Sequence, residues 1–126
     1  AQRLAERFWP GPLTLVVAKN PRLPDVLSPT GTVGVRMPDH PVALALLRAA
    51  GPLAVTSANR SGMENTLTAE EVMAQLGGRI NLVMGGGRVP CCGPSTVVDC
   101  TGAELVVLRE GPISLEDMQQ ALTENE

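Results

Sequence analysis

The chain has 126 residues, of which 44% are hydrophobic and 18% are charged, and its formal net charge is −3. This length predicts one domain, and an aliphatic composition in which Phe8 and Trp9 are the only aromatic residues is typical of an α/β structure. Nine arginines and one lysine form no basic stripe, which argues against electrostatic capture of a nucleic-acid backbone. No apolar stretch is long enough to cross a bilayer, and the three cysteines have no paired spacing, so we expect a cytoplasmic protein.

The first half of the chain alternates apolar runs with proline and glycine breakers. The opening residues predict the end of a helix that Pro10-Gly11-Pro12 stops. Strands are predicted over residues 13–18 and 32–36, with a proline-rich loop between them. Asp39 is the expected N-cap of a helix that runs to Ala50 and ends at Gly51.

The second half predicts three more pairs of elements. A strand over residues 53–57 leads to a polar loop, a helix that begins at Thr68 and a strand over residues 80–84. Strands over residues 95–100 and 104–108 could pair around Thr101-Gly102, and Ser114 starts the last helix. The alternation predicts an α/β fold with an open mixed sheet, because some connections are too short for a parallel crossover.

Polar side chains cluster at the ends of the predicted strands. An arginine beside hydroxyls and amides suits a carboxylate or phosphate, since the guanidinium donates two parallel hydrogen bonds. The plain alternative is that the arginines are solvated and the hydroxyls form turns. The candidates are Thr32, Arg36, Ser57, Asn59, Ser95 and Arg109.

Three other motifs have weaker chemical interpretations. Residues 85–88 and 93–96 could cradle phosphate, although they lack the Gly-Lys-Ser/Thr ending of a Walker loop. His40 could join Ser57 or Ser95 and Asp99 in a hydrolase triad, but no nucleophile elbow surrounds either serine, so helix-start polarity explains His40 better. Cys91-Cys92 is interpreted as a loop pair without a metal role.

Five segments in chain order carry a combined signal: Phe8-Trp9-Pro10-Gly11-Pro12-Leu13-Thr14, Thr32-Val33-Gly34-Val35-Arg36-Met37-Pro38-Asp39-His40-Pro41, Thr56-Ser57-Ala58-Asn59-Arg60-Ser61-Gly62, Ser95-Thr96-Val97-Val98-Asp99 and Leu108-Arg109-Glu110-Gly111. Together they closely resemble the YrdC family of L-threonylcarbamoyladenylate synthases, in its bacterial form. The resemblance implies a YrdC-like fold around a large cavity, with residues 1–126 as one domain that lacks its N-terminal part. In the family that part carries a Lys-x-Arg pair of the ATP site.

The resemblance also implies a reaction. L-threonine, bicarbonate and ATP, the last with Mg²⁺, give threonylcarbamoyl-AMP and pyrophosphate, and a separate transferase passes the threonylcarbamoyl group to tRNA. By position, Arg36, Ser57 and Ser95 match residues that bind threonine, whereas Thr32, Asn59 and Arg109 match residues that contact ATP. No protein nucleophile, acid–base pair or dedicated metal ligand is expected.

Two other functions remain open at the level of sequence. The module of a hydrogenase-maturation carbamoyltransferase shares the Ser-Ala-Asn loop, but Ser95-Thr96-Val97-Val98-Asp99 matches the synthase form better. A non-catalytic RNA-binding module is disfavoured by the net charge, and RNA contact is expected only from a complete domain.

Overall fold

A computed structural model describes residues 1–88 and 94–124. The chain divides into two compact units, Ala1–Gly51 with Cys92–Glu126, and Pro52–Cys91. The prediction of a single domain stays a prediction. No helix in the described ranges is both long and apolar enough to cross a membrane.

Helices and strands share the described residues, as the α/β prediction requires. The elements are α1 (Gln2–Phe8), β1 (Leu13–Ala18), β2 (Thr32–Val35), α2 (Pro41–Ala50), α3 (Ala69–Leu76), β3 (Thr96–Asp99), β4 (Val106–Arg109) and α4 (Leu115–Thr123). The strands form one sheet in the order β2-β1-β3-β4. Strand β1 pairs antiparallel with β2 and parallel with β3, and β3 pairs antiparallel with β4. The predicted mixed sheet and the predicted pairing of the last two strands are therefore confirmed.

One face of the sheet is covered by the first and last helices. Leu13 and Leu15 of β1 and Val98 of β3 are buried against side chains of α1 and α4. The two helices also touch each other, where Arg3 Nη1 donates to the carbonyl of Leu122 at 3.2 Å. Burial of aliphatic surface on this one face gives the first unit its core.

Helix α4 begins after Ser114, as predicted, and a capping box forms at this end. Ser114 Oγ accepts from Asp117 N at 3.1 Å, and Asp117 Oδ2 accepts from Ser114 N at 3.3 Å. Each side chain thus satisfies a backbone donor that the first turn of the helix leaves free.

The N-cap of α2 is His40, so the prediction of Asp39 was wrong. His40 Nδ1 accepts from Val42 N at 3.1 Å, and Pro41 occupies the first turn, where no backbone donor is required. An imidazole nitrogen serves here as the acceptor that a carboxylate would otherwise supply. The helix ends at Gly51 with a φ of 77°, as expected for a glycine cap.

In the second unit, α3 follows the predicted Thr68 cap. Thr68 Oγ1 accepts from Glu71 N at 3.2 Å, and Glu71 Oε2 accepts from Leu67 N at 2.6 Å. The strands predicted over residues 53–57 and 80–84 were wrong, because neither run pairs with another segment among the described residues. Val55 and Leu82 are instead 80% and 74% exposed.

The loop between β1 and β2 is held by the chain's one lysine. Lys19 Nζ donates to Asp25 Oδ1 at 2.9 Å and to the carbonyl of Ser28 at 3.0 Å. The side chain of Lys19 is 9% exposed. Its ammonium group is therefore engaged inside the loop, and the positive charges near the candidate site come from arginines.

Candidate functional site

Two of the predicted site residues, Ser95 and Arg109, lie on the face of the sheet away from α1 and α4. Thr14 on β1 pairs with Val97 on β3, which in turn pairs with Arg109 on β4. Thr14, Ser95 and Arg109 form one row across the sheet, because their side chains are joined by hydrogen bonds, and a bulge in the β3–β4 pairing brings Arg109 opposite Val97. Arg36 follows the last paired residue of β2, Val35, and its guanidinium is close enough to Arg109 for the two charges to repel each other.

Ser95 lies at the centre of this row, immediately before β3, and is 4% exposed. Arg109 donates to the carbonyl of Ser95 from Nε at 3.0 Å and from Nη2 at 2.9 Å. Nη2 also donates to Ser95 Oγ at 3.1 Å. The hydroxyl oxygen of Ser95 lies 2.7 Å from Thr14 Oγ1. A buried hydroxyl is thus positioned by an arginine and a threonine.

Arg36 is attached to the turn that precedes β1. Its Nε donates to the carbonyl of Gly11 at 3.1 Å, and Gly11 N donates to the carbonyl of Met37 at 2.8 Å. Burial lowers the pKa of Arg36, and the positive charge of Arg109 lowers it further. Two guanidinium groups that repel each other on one face are more stable when an anion lies between them. This face can therefore bind a carboxylate or a phosphate.

Thr32 lies at the other end of β2 and does not share this cluster. Thr32 N and Thr32 Oγ1 both contact Thr30 Oγ1, at 3.4 and 3.1 Å. Arg36 lies four positions after Thr32, which is about 13 Å along an extended chain. A ligand that touches both ends of β2 must be extended.

Asn59 has an open hydrogen-bond acceptor in the second unit. Its Nδ2 donates to the carbonyls of Arg60 at 3.0 Å and Met63 at 3.1 Å. These two acceptors fix the orientation of the amide, and its Oδ1 is buried with no partner among the described residues. A donor from a ligand would satisfy that oxygen.

The loop that carries Ser57 and Asn59 is held by side chains of its own unit. Thr66 Oγ1 donates to the carbonyl of Ala58 at 2.8 Å, and Gln75 Oε1 of α3 accepts from Arg60 N at 2.9 Å. The residue Ser57 itself is exposed, and its carbonyl accepts from Thr56 Oγ1 at 3.3 Å. Ser57 and Asn59 belong to the second unit, whereas Thr32, Arg36, Ser95 and Arg109 belong to the first.

Two residues of the weaker motifs, His40 and Asp99, have local structural roles. His40 caps α2, and Asp99 Oδ1 accepts from Thr101 N at 2.8 Å and from Thr101 Oγ1 at 2.6 Å, so both groups have local partners. Gly93 of the predicted phosphate cradle and the pair Cys91-Cys92 lie outside the described residues.

Thr14 is a site residue that the sequence interpretation did not single out. Its hydroxyl stands in an otherwise aliphatic strand, Leu-Thr-Leu-Val-Val-Ala, which was the available signal. A hydroxyl on the sheet face away from the core has no packing reason to be there, whereas a partner on the next strand supplies one.

Comparison with known proteins agrees with the geometry. The family model for Sua5, YciO and YrdC, described as "Telomere recombination", matches residues 1–111. A putative threonylcarbamoyl-AMP synthase of Mycobacterium tuberculosis is 46% identical over 123 residues, which is 97% of this chain and 57% of the relative. Threonylcarbamoyl-AMP synthase of Bacillus subtilis is 44% identical over 97% of this chain and 36% of its own length.

Solved structures show the same fold. Sua5 of Pyrococcus abyssi complexed with L-threonine superposes with a TM-score of 0.89 at 40% identity, over 98% of this chain and 37% of that chain. YciO of Escherichia coli gives a TM-score of 0.80 at 31% identity, over 92% of this chain and 57% of that chain. The chain spans between about a third and three fifths of the length of these relatives. The chain belongs to the Sua5/YciO/YrdC family.

Proposed function

We propose that this chain supplies the threonine-binding face of an L-threonylcarbamoyl-AMP synthase, which makes threonylcarbamoyl-AMP for tRNA modification. The observation that carries the proposal is the cluster of Arg36, Ser95 and Arg109 on one face of the sheet. Sua5 of Pyrococcus abyssi, which shares this fold at 40% identity, has been solved in complex with L-threonine. The shared fold and the positive charge of the arginine cluster therefore both support threonine as the ligand of this face.

Arg36 is assigned to the α-carboxylate of threonine. Its Nε is used by the carbonyl of Gly11, so the terminal Nη1 and Nη2 would form the pair of parallel bonds to the carboxylate. Burial of part of the guanidinium strengthens that ion pair, because less water competes for the charge. The amino group of threonine is then left to react.

The proposed reaction depends on how the substrates are positioned and on neutralisation of the phosphate charge, and it uses no protein nucleophile. The threonine amine and bicarbonate give a carbamate and water, and a carbamate oxygen attacks the α-phosphorus of ATP. A bond forms between that oxygen and phosphorus, and the bond to the departing pyrophosphate breaks. Arginines can stabilise part of the charge of such a transition state when the reactants are held in line.

ATP contacts are assigned to Thr32, Asn59 and Arg109. Nε and Nη2 of Arg109 donate hydrogen bonds to Ser95, so we assign the third nitrogen, Nη1, to a phosphate oxygen. The open Oδ1 of Asn59 suits a donor such as a ribose hydroxyl or an adenine amine. Ser57 is carried over from the family resemblance as a further threonine contact.

Magnesium is expected to arrive with ATP. No group of three or more His, Cys, Asp or Glu side chains that could hold a metal occurs in the described part of the chain. The phosphates of ATP would carry the ion, as they do in many nucleotide-binding sites, and we assign it no protein ligand. The product would pass to a separate threonylcarbamoyl transferase in the cytoplasm.

The test uses a completed chain, in which the part of the Mycobacterium tuberculosis relative that this sequence does not match is joined to residues 1–126. We expect pyrophosphate release that requires both L-threonine and bicarbonate. Mass spectrometry should detect threonylcarbamoyl-AMP. The matched control is Arg22→Lys, because Arg22 lies in the loop between β1 and β2 and not in the arginine cluster.

A different result would overturn the proposal. Pyrophosphate release that depends on carbamoyl phosphate and is indifferent to threonine would assign the chain to carbamoyl transfer. Salt-sensitive binding of structured RNA by the completed chain, with no turnover of ATP, would assign it to RNA binding.

A further inference from the structure

We propose that Thr14 is a positioning residue, which donates its hydroxyl proton to Ser95 Oγ and so directs the Ser95 proton toward the carboxylate of bound threonine. The inference rests on the proposed function, because it takes Ser95 as a threonine contact. It gives Thr14, on the strand next to β3, a role in the specificity for threonine.

The geometry that carries the inference is a chain of three side chains. Thr14 Oγ1 and Ser95 Oγ are 2.7 Å apart, which is the usual separation of a hydrogen bond between two hydroxyl groups. Arg109 Nη2 lies 3.1 Å from the same Ser95 oxygen. Ser95 Oγ therefore has two protein neighbours, and one of them, Arg109, is close enough to Arg36 for the two charges to repel each other.

Proton accounting then fixes the direction of each bond. A guanidinium can only donate, so Arg109 occupies one of the two lone pairs of Ser95 Oγ. If Thr14 donates as well, both lone pairs are used and the single proton of Ser95 is left for a ligand. If Ser95 instead donates to Thr14, a ligand would meet a lone pair.

The charge of the site decides between these two arrangements. Arg36 and Arg109 both place positive charge on this face, and the repulsion between them contributes to the lowered pKa of Arg36. The ligand group that suits such a face is an anion, and an anion accepts hydrogen bonds. Ser95 must then donate to it, which requires Thr14 to donate to Ser95.

The hydroxyl bond is not needed to hold the two strands together. Backbone bonds already fix the parallel pairing on both sides of it, from Thr96 N to the carbonyl of Pro12 and from Cys100 N to the carbonyl of Val16, each at 2.9 Å. The methyl group of Thr14 packs beside Gly34, where an added Cβ would come within 3.3 Å of Thr14 Cγ2. The methyl group fills space, and the hydroxyl group is left with the role of orienting Ser95.

The experiment measures the KM values for threonine and ATP in the completed chain with two variants of Thr14. Thr14→Val keeps the shape and loses the hydroxyl, and it should raise the threonine KM about tenfold while the ATP KM stays within about twofold. Thr14→Ser keeps the hydroxyl and should stay within about twofold of the parent for both substrates. Thermal unfolding of each variant separates this effect from a general loss of fold.

A double-variant comparison tests whether Thr14 acts through Ser95. Ser95→Ala should raise the threonine KM, and adding Thr14→Val to it should cause no further rise, because the group that Thr14 orients is gone. Independent effects that multiply would overturn the positioning role, as would a normal threonine KM in Thr14→Val. A normal threonine KM in Ser95→Ala would instead remove Ser95 from the proposed threonine site, and the role of Thr14 with it.

Discussion

The Arg109 side chain donates three hydrogen bonds to Ser95, two to the backbone carbonyl and one to the hydroxyl oxygen, at 2.9 to 3.1 Å. The residue assigned to ATP is therefore attached to the residue assigned to threonine. A change in Arg109 should disturb the binding of both substrates, which distinguishes it from every other residue of the cluster.

Arg109→Lys tests that coupling in the completed chain. A lysine offers one ammonium group in place of the planar fork, so it cannot keep all three bonds to Ser95. We expect the KM values for threonine and for ATP to rise together, each by about tenfold or more. A rise in the KM for ATP alone would show that the hydrogen bonds from Arg109 to Ser95 have no part in threonine binding.

Arg36→Lys should instead discriminate between the substrates. The lysine ammonium cannot form the two parallel hydrogen bonds that a guanidinium makes to the threonine carboxylate. The KM for threonine should therefore rise by about tenfold or more, and the KM for ATP by much less. Steady-state kinetics with one substrate varied at a time gives both values. Equal losses for the two substrates would contradict the assignment of Arg36.

Asn59→Ala should show the reverse pattern. The substitution removes the open Oδ1 and the two bonds from Nδ2 that shape the loop, so the KM for ATP should rise several-fold more than that for threonine. Asn81→Ala, in the same unit, is the matched control and should leave both values unchanged. A defect confined to threonine would mean that Ser57 and Asn59 have exchanged roles.

Gly111→Ala should destabilise the first unit. An added Cβ would lie 2.4 Å from Thr96 N and 2.7 Å from Ser95 C, both of which are backbone atoms that cannot move aside easily. Overpacking of this kind typically lowers the free energy of unfolding by about 1–3 kcal/mol. Urea denaturation of the chain measures it.

Gly31→Ala provides the control for that measurement. An added Cβ there meets no atom within 4 Å. We expect a change in the free energy of unfolding of less than about 0.5 kcal/mol. An equal effect at both glycines would show that the close approach at Gly111 has no energetic cost.

The carboxylate of Asp99 supplies a prediction on pH. Hydrogen bonds from the side chain and then the backbone of Thr101 lower the pKa of Asp99. Because the folded pKa lies below the unfolded one, this contribution to stability is present above the unfolded pKa and is lost as pH falls through the folded pKa. NMR titration of the carboxyl carbon should show a higher pKa in Thr101→Val than in Thr101→Ser, and identical values would contradict the assigned cause.

Local signals made most of the first unit predictable. The aliphatic run of β1, the glycine at the end of α2 and the Ser114 capping box each specify an element within a few residues. The runs over 53–57 and 80–84 have the same local character but form no strand, because a strand also needs a partner and sequence does not show one.

The site was predictable only as a set of residue types. Arg36, Ser95 and Arg109 were candidates because of their places at strand ends, and the structure places them together. The involvement of Thr14 depends on the parallel register of β1 and β3, which joins positions 81 residues apart. Such a register follows from the packing of the whole sheet, so no local pattern in the sequence could reveal it.

The same parallel pairing has a consequence for biosynthesis. Strand β1 leaves the ribosome long before β3, and at about 5–20 residues per second the wait is roughly 4–16 s. Leu4 waits longer still, since its core neighbour Met118 lies in α4. During that interval the aliphatic strand β1 lacks its partner β3, and we expect its apolar side chains to be exposed to aggregation. Synthesis speed between the two strands would then govern the yield of native protein.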